Sequence, residues 1–233
     1  MIDSPLKGAA LLFDLDGTLV DTAPDLAGTM NDILAKLALP PLPVAQVRHL
    51  IGHGARALIT HGLKFHGREA ESDEIDQMLE AFLDIYAARI ANESRPFSGA
   101  QVTLDLLAVR GCRLAIVTNK PEGLTRLLLD ALNLADRFGA IIGRETAARP
   151  KPHPDPILLA AERLGVPVAG AVMVGDSETD VSAARAAGIP VIVMRHGDSS
   201  VPVEERGADA LIGGFSELIP TAELLIAPPA ASA

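Results

Sequence analysis

The order of six short apolar segments limits this chain to very few folds. Their lengths are typical of buried β-strands, and they cover residues 9–13, 114–118, 140–142, 171–174, 191–194 and 210–212. After the second segment, strand patterns alternate with helical patterns at residues 122–132, 156–164, 180–187 and 216–225. Because strands and helices in alternation form a parallel sheet with helices on both faces, the sequence predicts an α/β, Rossmann-like core.

The long stretch between the first two predicted strands contains no convincing strand. Its apolar residues recur at helical spacing from residue 24 to residue 95, as at Leu26, Met30 and Ile33. Such a stretch is too long for an ordinary crossover, so we expect an inserted α-helical cap domain. The predicted division is a core of residues 1–20 and 97–233, a cap of residues 21–96, and a disordered tail at residues 227–233.

Charge and composition exclude several classes of partner. The formal net charge is −10 and Lys and Arg form no cluster, so we expect no nucleic-acid partner. No apolar segment reaches the ~20 residues that a membrane-spanning helix needs, and the N-terminus lacks a secretory signal pattern. We therefore predict a cytoplasmic protein that is a monomer or a homodimer and binds no membrane. Cys112, the single cysteine, is interpreted as a packing residue.

Polar residues follow four of the predicted strands, at the edge where parallel sheets bind ligands. They are Asp14 with Asp16, Thr118 with Asn119, Lys151, and Asp176 with Asp180. Each alone is typical of a turn or a helix cap, but together they supply carboxylates, one lysine and short polar donors. Oxygen ligands of this kind select Mg²⁺ together with a phosphate oxygen. The residues therefore predict a magnesium site that binds a substrate phosphate, with one carboxylate attacking phosphorus and another acting as acid and base.

Four segments resemble, in the right order, the four motifs of the haloacid dehalogenase superfamily of phosphohydrolases. They are FDLDGTLVDT at residues 13–22, Thr118 with Asn119, Lys151 in KPHP, and GDSETD at residues 175–180. The resemblance implies that Asp14 is the nucleophile and that Asp16 is the general acid and base.

The same resemblance implies the residues that hold the metal and the phosphate. Mg²⁺ would be bound by Asp14, by Asp176 and by the main-chain carbonyl of Asp16. The phosphoryl oxygens would be bound by Thr118, Asn119 and Lys151. We interpret Thr18 as a supporting residue that orients Asp16, and Asp180 as a supporting residue of the metal site.

The acid at Asp16 separates branches of that superfamily. Dehalogenases and phosphonoacetaldehyde hydrolases lack an acid two residues after the nucleophile, so the resemblance favours hydrolysis of a phosphate ester. Sugar phosphate mutases keep this aspartate and stay an alternative. The non-enzyme alternative is a phosphate-ester sensor or a partner-binding protein that has kept the fold. Such a protein would be expected to lose Asp14, Asp16, Lys151 or Asp176, and all four are present.

The predicted cap resembles that of bacterial phosphoglycolate phosphatases in VRHLIGHGARAL at residues 47–58, as do the flanking DTAPDLAGTMN and RPFSG. This resemblance implies hydrolysis of a small phosphorylated metabolite, 2-phosphoglycolate, to glycolate and phosphate, with phosphatases of sugar or muramic acid phosphates as the alternative. Main-chain amides and cations at Gly52, His53, Gly54 and Arg56 are candidates for binding the substrate carboxylate. The other interpretation is a turn at the two glycines followed by a solvated arginine.

Overall fold

The core of the protein is a six-stranded parallel sheet. The computed structural model describes residues 4–48, 50–52, 54–195 and 207–226. The strands are β1 Ala10–Phe13, β4 Arg113–Val117, β5 Ala140–Ile142, β6 Ala171–Gly175, β7 Val191–Met194 and β8 Ala210–Ile212. Their order is β5-β4-β1-β6-β7-β8, with all neighbours parallel. The predicted α/β sheet is confirmed, and each strand lies within one residue of its predicted bounds.

Strand β1 lies in the middle of this sheet, where the strand order reverses. Phe13 at its end pairs in register with Ile116 of β4 on one side and with Val174 of β6 on the other. The carboxyl ends of these three strands therefore meet at a topological switch point, which is where open parallel sheets bind ligands. The polar residues that follow β1, β4 and β6 are thus brought to one edge.

Helices cover both faces of the sheet. Side chains alternate along a strand, so Leu11 and Phe13 of β1 contribute to one apolar cluster and Ala10 and Leu12 to the other. The first face is covered by α5 Ala100–Val109, α6 Glu122–Ala131 and α9 Leu218–Ile226. The second face is covered by α7 Asp155–Leu164 and α8 Glu178–Ala187. Four of these five helices lie within two residues of their predicted bounds.

Helix α5 was not predicted. Its apolar residues surround the helix instead of lying on one side, since Val102 is 64% exposed and Val109 is 81% exposed. Because these valines are apolar but exposed, the buried residues Leu104 and Leu107 do not stand out in the sequence as one apolar face of a helix.

Four described helices lie within residues 23–88, inside the stretch for which the sequence predicted helices only. They are α1 Ala23–Lys36, α2 Val44–Arg48, α3 Ala55–Phe65 and α4 Ser72–Ala88, and we refer to them as the helical segment. Helix α3 packs closely on α1 at Gly62, where a Cβ would lie 2.4 Å from Met30 Cε. Among the described residues, no helix combines the length and the apolar character needed to cross a bilayer.

The chain enters and leaves the helical segment at adjacent positions. Strand β2 Val20–Asp21 pairs antiparallel with β3 Arg95–Pro96. Asp25, fully buried in the first turn of α1, accepts hydrogen bonds from Ser94 N at 2.8 Å, Ser94 Oγ at 2.7 Å and Glu93 N at 3.0 Å. These two short strands were not predicted, because two residues are too few to show alternation. The division into domains at residues 21 and 96 stays a prediction.

Candidate active site

Asp14 directly follows β1 at the carboxyl edge of the sheet. Its main-chain N–H donates to the Val174 carbonyl oxygen at 2.9 Å, so the loop starts in line with the sheet. Three residues later Gly17 reverses the chain with φ of +80°, a conformation that side chains disfavour. A Cβ on Gly17 would also lie 2.7 Å from Asp176 Oδ2. Glycine at this position therefore lets the loop after β1 approach the loop after β6.

Lys151 lies between two buried carboxylates. Its Nζ is 3.1 Å from Asp14 Oδ1 and 2.6 Å from Asp180 Oδ1, and its side chain is 2% exposed. Burial disfavours the charged ammonium, but Asp14 and Asp180 outweigh this effect and raise the pKa of Lys151. Lys151 therefore keeps its positive charge directly beside Asp14.

Asp180 holds the loop that follows β6. Its Oδ2 accepts hydrogen bonds from Asp176 N at 3.2 Å, Ser177 N at 3.1 Å and Ser177 Oγ at 2.7 Å, as part of a capping box at the start of α8. A Cβ on Gly175 would lie 2.4 Å from Asp180 Cγ, so glycine is required there. Both oxygens of Asp180 are engaged, one by this loop and the other by Lys151.

Three buried carboxylates form a group with the donor chemistry of a cation site. Oxygen atoms of Asp14, Asp176 and Asp180 lie within 4.8 Å of one another. Burial raises the pKa of Asp14 to about 6 despite Lys151. Burial, Asp180 and Asp14 raise the pKa of Asp176. One lysine leaves excess negative charge in this group, and an all-oxygen donor set suits a hard divalent cation, so the residues fit such a metal.

Thr18 contributes to this group in a different way from the prediction. Its Oγ1 donates a hydrogen bond to Asp176 Oδ1 at 2.7 Å, whereas Thr18 was predicted to orient Asp16. The reason is the turn at Gly17, which carries Thr18 toward the loop after β6.

Thr118 and Asn119 follow β4 and line the same cavity as Asp14. The Asn119 Nδ2 donates to the Lys151 carbonyl oxygen at 3.0 Å, which ties the loop after β4 to the loop that carries Lys151. The buried Asn119 Oδ1 has no hydrogen-bond partner within the described part of the chain. The predicted phosphate-binding pair and the predicted nucleophile thus line one cavity.

Asp16 contacts Lys120, which was not among the predicted site residues. The Lys120 Nζ lies 3.1 Å from Asp16 Oδ1, 3.2 Å from Asp16 Oδ2 and 2.8 Å from the hydroxyl of Tyr86 in α4. Burial favours the neutral amine, but the Asp16 carboxylate outweighs it and raises the pKa of Lys120. The sequence does place Lys120 directly after Thr118 and Asn119, at the ligand-binding edge of the sheet, and this position could have marked it as a candidate site residue.

A cavity of about 500 Å³ lies between the strand ends and the helical segment. Three of the four substrate-binding candidates, Gly52, Gly54 and Arg56, line it, while His53 lies outside the described residues. Both glycines have φ of +88°, which is typical of turns. Arg56 forms an ion pair with Asp76 on the neighbouring helix α4.

Arg144 lines the same cavity from the loop after β5 and was not selected from the sequence. Its Nη1 lies 3.9 Å from the position that a Cβ on Gly54 would occupy, so it lies close to the glycine turn. Its main-chain N–H donates to the Lys120 carbonyl oxygen at 3.0 Å, which fixes the start of this loop.

The residues of this site lie within a region that matches a known protein family. The haloacid dehalogenase-like hydrolase family matches residues 11–194, which include all the strand-end residues described above. The chain belongs to this family. Among the relatives of this hydrolase, a phosphoglycolate phosphatase from Caulobacter vibrioides is 44% identical over 213 residues, which cover 91% of this chain and 90% of the relative. A phosphoglycolate phosphatase from Agrobacterium fabrum is 40% identical over 234 residues, which cover 100% of both chains.

A solved structure is also similar to this hydrolase. The crystal structure of a predicted phosphoglycolate phosphatase from Haemophilus somnus superposes with a TM-score of 0.84 at 29% identity. The match covers 91% of this chain and 97% of that chain. The likeness therefore extends over the sheet and the helical segment together.

Proposed function

We propose that this hydrolase is a magnesium-dependent phosphatase that converts 2-phosphoglycolate and water to glycolate and phosphate. The observation that carries the proposal is the buried contact between Asp14 and Lys151, beside Asp176, where the cavity opens. A carboxylate nucleophile, a retained ammonium and an oxygen-rich cation site are what attack on a phosphate monoester requires. The two relatives named phosphoglycolate phosphatase support this substrate.

In the proposed reaction Asp14 is the nucleophile and Asp16 is the general acid and base. An Asp14 oxygen attacks phosphorus, the bond from phosphorus to the glycolate oxygen breaks, and the carboxylic acid of Asp16 gives its proton to that oxygen. Asp16, now a carboxylate, takes a proton from water as the water oxygen attacks the aspartyl phosphate. The bond between Asp14 and phosphorus then breaks and phosphate leaves.

Charge at the phosphoryl group is balanced by residues around Asp14. Lys151 lies 3.1 Å from Asp14 and reduces the repulsion between the nucleophile and the phosphate. Thr118 and Asn119 bind phosphoryl oxygens from the loop after β4. Asp14, Asp176 and the Asp16 main-chain carbonyl would hold Mg²⁺, which when bound supplies positive charge to the phosphoryl oxygens.

Two further residues support this arrangement without touching the substrate. Asp180 holds Lys151 at 2.6 Å and so fixes the position of its ammonium beside Asp14. Thr18 holds Asp176 at 2.7 Å and so orients a proposed metal ligand.

We assign recognition of the substrate carboxylate to Arg144. Four cations line the cavity, and three of them already contact carboxylates: Lys120 contacts Asp16, Lys151 contacts Asp14 and Asp180, and Arg56 contacts Asp76. Arg144 has no ion pair among the residues that the structure describes. A substrate carboxylate would supply this partner through a charge-assisted hydrogen bond. Main-chain amides at Gly52 and Gly54 stay candidates for a second contact.

The helical segment closes the cavity on the side opposite the strand ends. We propose that it acts as a cap of residues 21–96 on a core of residues 1–20 and 97–233. The support is that both connections run through the β2–β3 pair, which allows the segment to move as a unit. Closure would exclude bulk water from the reaction and bring the glycine turn toward the substrate.

Phosphate release from a panel of monoesters tests the proposal. The panel contains 2-phosphoglycolate, glucose 6-phosphate and N-acetylmuramic acid 6-phosphate, each with MgCl₂ or with EDTA. We expect the highest kcat/KM for 2-phosphoglycolate and loss of turnover in EDTA, with Asp14→Asn as the inactive control. Faster turnover of either sugar phosphate would contradict the substrate. Isomerised sugar phosphate without free phosphate would contradict the reaction.

A further inference from the structure

Lys120 forms a buried bridge between Asp16 and the helical segment. Its Nζ contacts both oxygens of Asp16 at 3.1 and 3.2 Å and the Tyr86 hydroxyl at 2.8 Å. The side chain of Lys120 is 5% exposed and that of Asp16 is 15% exposed. The contact therefore joins the loop after β1, the loop after β4 and helix α4 at one ammonium group.

The two contacts of Lys120 differ in chemistry. Within the described chain, Asp16 supplies the one carboxylate that pairs with Lys120. A buried ammonium without such a partner would destabilise the folded protein, so the lysine and the aspartate constrain each other's position. Because both oxygens of Asp16 are contacted, the carboxylate is fixed in rotation as well as in place.

Tyr86 brings the helical segment into the same contact. It lies in α4, is 1% exposed and stacks on Phe82 with ring centroids 6.1 Å apart. The Lys120 Nζ also lies 4.4 Å from the centroid of the Tyr86 ring, within the range of a cation–π interaction. A movement of α4 away from the sheet would therefore separate Tyr86 from Lys120.

We propose that Lys120 is a positioning residue that fixes the carboxyl group of Asp16 for proton transfer, and that Tyr86 couples this position to helix α4. The proposal rests on the proposed phosphatase function, in which Asp16 protonates the leaving oxygen. With α4 packed against the sheet, Tyr86 holds Lys120 and Lys120 holds Asp16. With α4 displaced, Lys120 loses one of its two polar partners and Asp16 loses its fixed orientation.

Two substrates with different leaving groups separate positioning from a structural role. The glycolate oxygen needs a proton as its bond to phosphorus breaks, whereas p-nitrophenolate leaves as a stable anion and needs none. The ratio kcat/KM reports the steps up to transfer of the phosphoryl group to Asp14. Misplacement of Asp16 should therefore lower kcat/KM for 2-phosphoglycolate much more than for p-nitrophenyl phosphate.

The experiment compares Lys120→Met, Tyr86→Phe and the surface control Lys64→Met with the wild type, all with MgCl₂. General acid catalysis supplies roughly 100- to 10,000-fold, so we expect Lys120→Met to lower kcat/KM for 2-phosphoglycolate about 10- to 100-fold. Tyr86→Phe keeps the ring and removes one hydrogen bond, and we expect a loss of about 3- to 10-fold. For p-nitrophenyl phosphate both losses should be about twofold or less. Lys64→Met should match the wild type on both substrates.

Other results would overturn the proposal. Equal losses on the two substrates, or no loss for Lys120→Met, would show that Lys120 does not act through proton transfer. Wild-type activity of Tyr86→Phe on 2-phosphoglycolate would remove the coupling to α4. If Lys120→Met does not fold, the leaving-group dependence of Tyr86→Phe decides the question. A wild-type protein that hydrolyses neither ester would overturn the phosphatase function itself.

Discussion

The metal-free protein should become more stable when its proposed nucleophile is neutralised. Burial raises the pKa of Asp14 from a usual value of 3.8 to about 6. Above that pH the folded protein carries a buried carboxylate, whereas the unfolded chain exposes it to water. The difference between the two pKa values corresponds to about 3 kcal/mol of unfolding free energy at 1.36 kcal/mol per pKa unit.

The sign of this effect follows from proton binding. The folded state binds the Asp14 proton more tightly than the unfolded state does, so Asp14 lowers stability as the pH rises from about 4 to about 6. A bound divalent cation favours the ionised carboxylate and opposes this loss. Asp14→Asn keeps an oxygen that accepts the Leu15 N–H hydrogen bond, which is 2.7 Å long. We therefore expect Asp14→Asn to stabilise the metal-free protein at pH 7 by up to about 3 kcal/mol.

Urea unfolding followed by circular dichroism between pH 4 and pH 8, with EDTA and with MgCl₂, measures this gain. Asp105→Asn is a matched control, because Asp105 is 60% exposed and pairs with Arg137 on the surface. The control should change stability by about 0.5 kcal/mol or less. The reasoning is refuted if Asp14→Asn is less stable than the wild type in EDTA at pH 7, or if its gain is the same at pH 4 as at pH 7.

Three further predictions test the acid, the substrate contact and the connection to the helical segment. Asp16→Asn should lower steady-state phosphate release from 2-phosphoglycolate by about 100-fold or more, and normal turnover would contradict its role as acid and base. Arg144→Leu should raise KM for 2-phosphoglycolate about 10- to 100-fold and leave p-nitrophenyl phosphate unaffected; an equal effect of Arg56→Leu would contradict the assignment to Arg144. Asp25→Ala should lower the unfolding free energy in urea by about 3 kcal/mol, because it leaves buried N–H and hydroxyl donors without an acceptor. The control Asp32→Ala removes an exposed carboxylate, and a loss no larger than that of the control would contradict the importance of Asp25.

The sheet and the strand-end residues could be predicted from the sequence because their signals are local. A buried strand is a short apolar run, and Asp14 or Asp176 directly follows such a run. Parallel strands place their carboxyl ends together, so residues far apart in the chain converge without any knowledge of side-chain contacts. Helix α5 lacked a local signal, because its exposed valines resemble its buried leucines in character.

Pairings between distant residues could not be predicted from residue type alone. Lys120 and Asp16 are separated by 104 positions, and their contact depends on how two loops pack over the sheet. Arg56 and Arg144 are both arginines near turns, and only the packing of α3 against α4 shows that Arg56 already has Asp76 as a partner. The partner of Thr18 likewise depended on the direction of the turn at Gly17.

The pairing of β2 with β3 has a consequence for how proteins of this architecture diversify. Asp21 and Arg95 are partners in that pair, so the chain enters and leaves the helical segment at one point. A replacement segment needs only two ends that lie side by side to continue the chain without altering any strand. Chimeras that exchange everything between these two residues should therefore retain the bond-breaking residues and Arg144 of one parent while acquiring the glycine turn and the cavity-lining helices of the other.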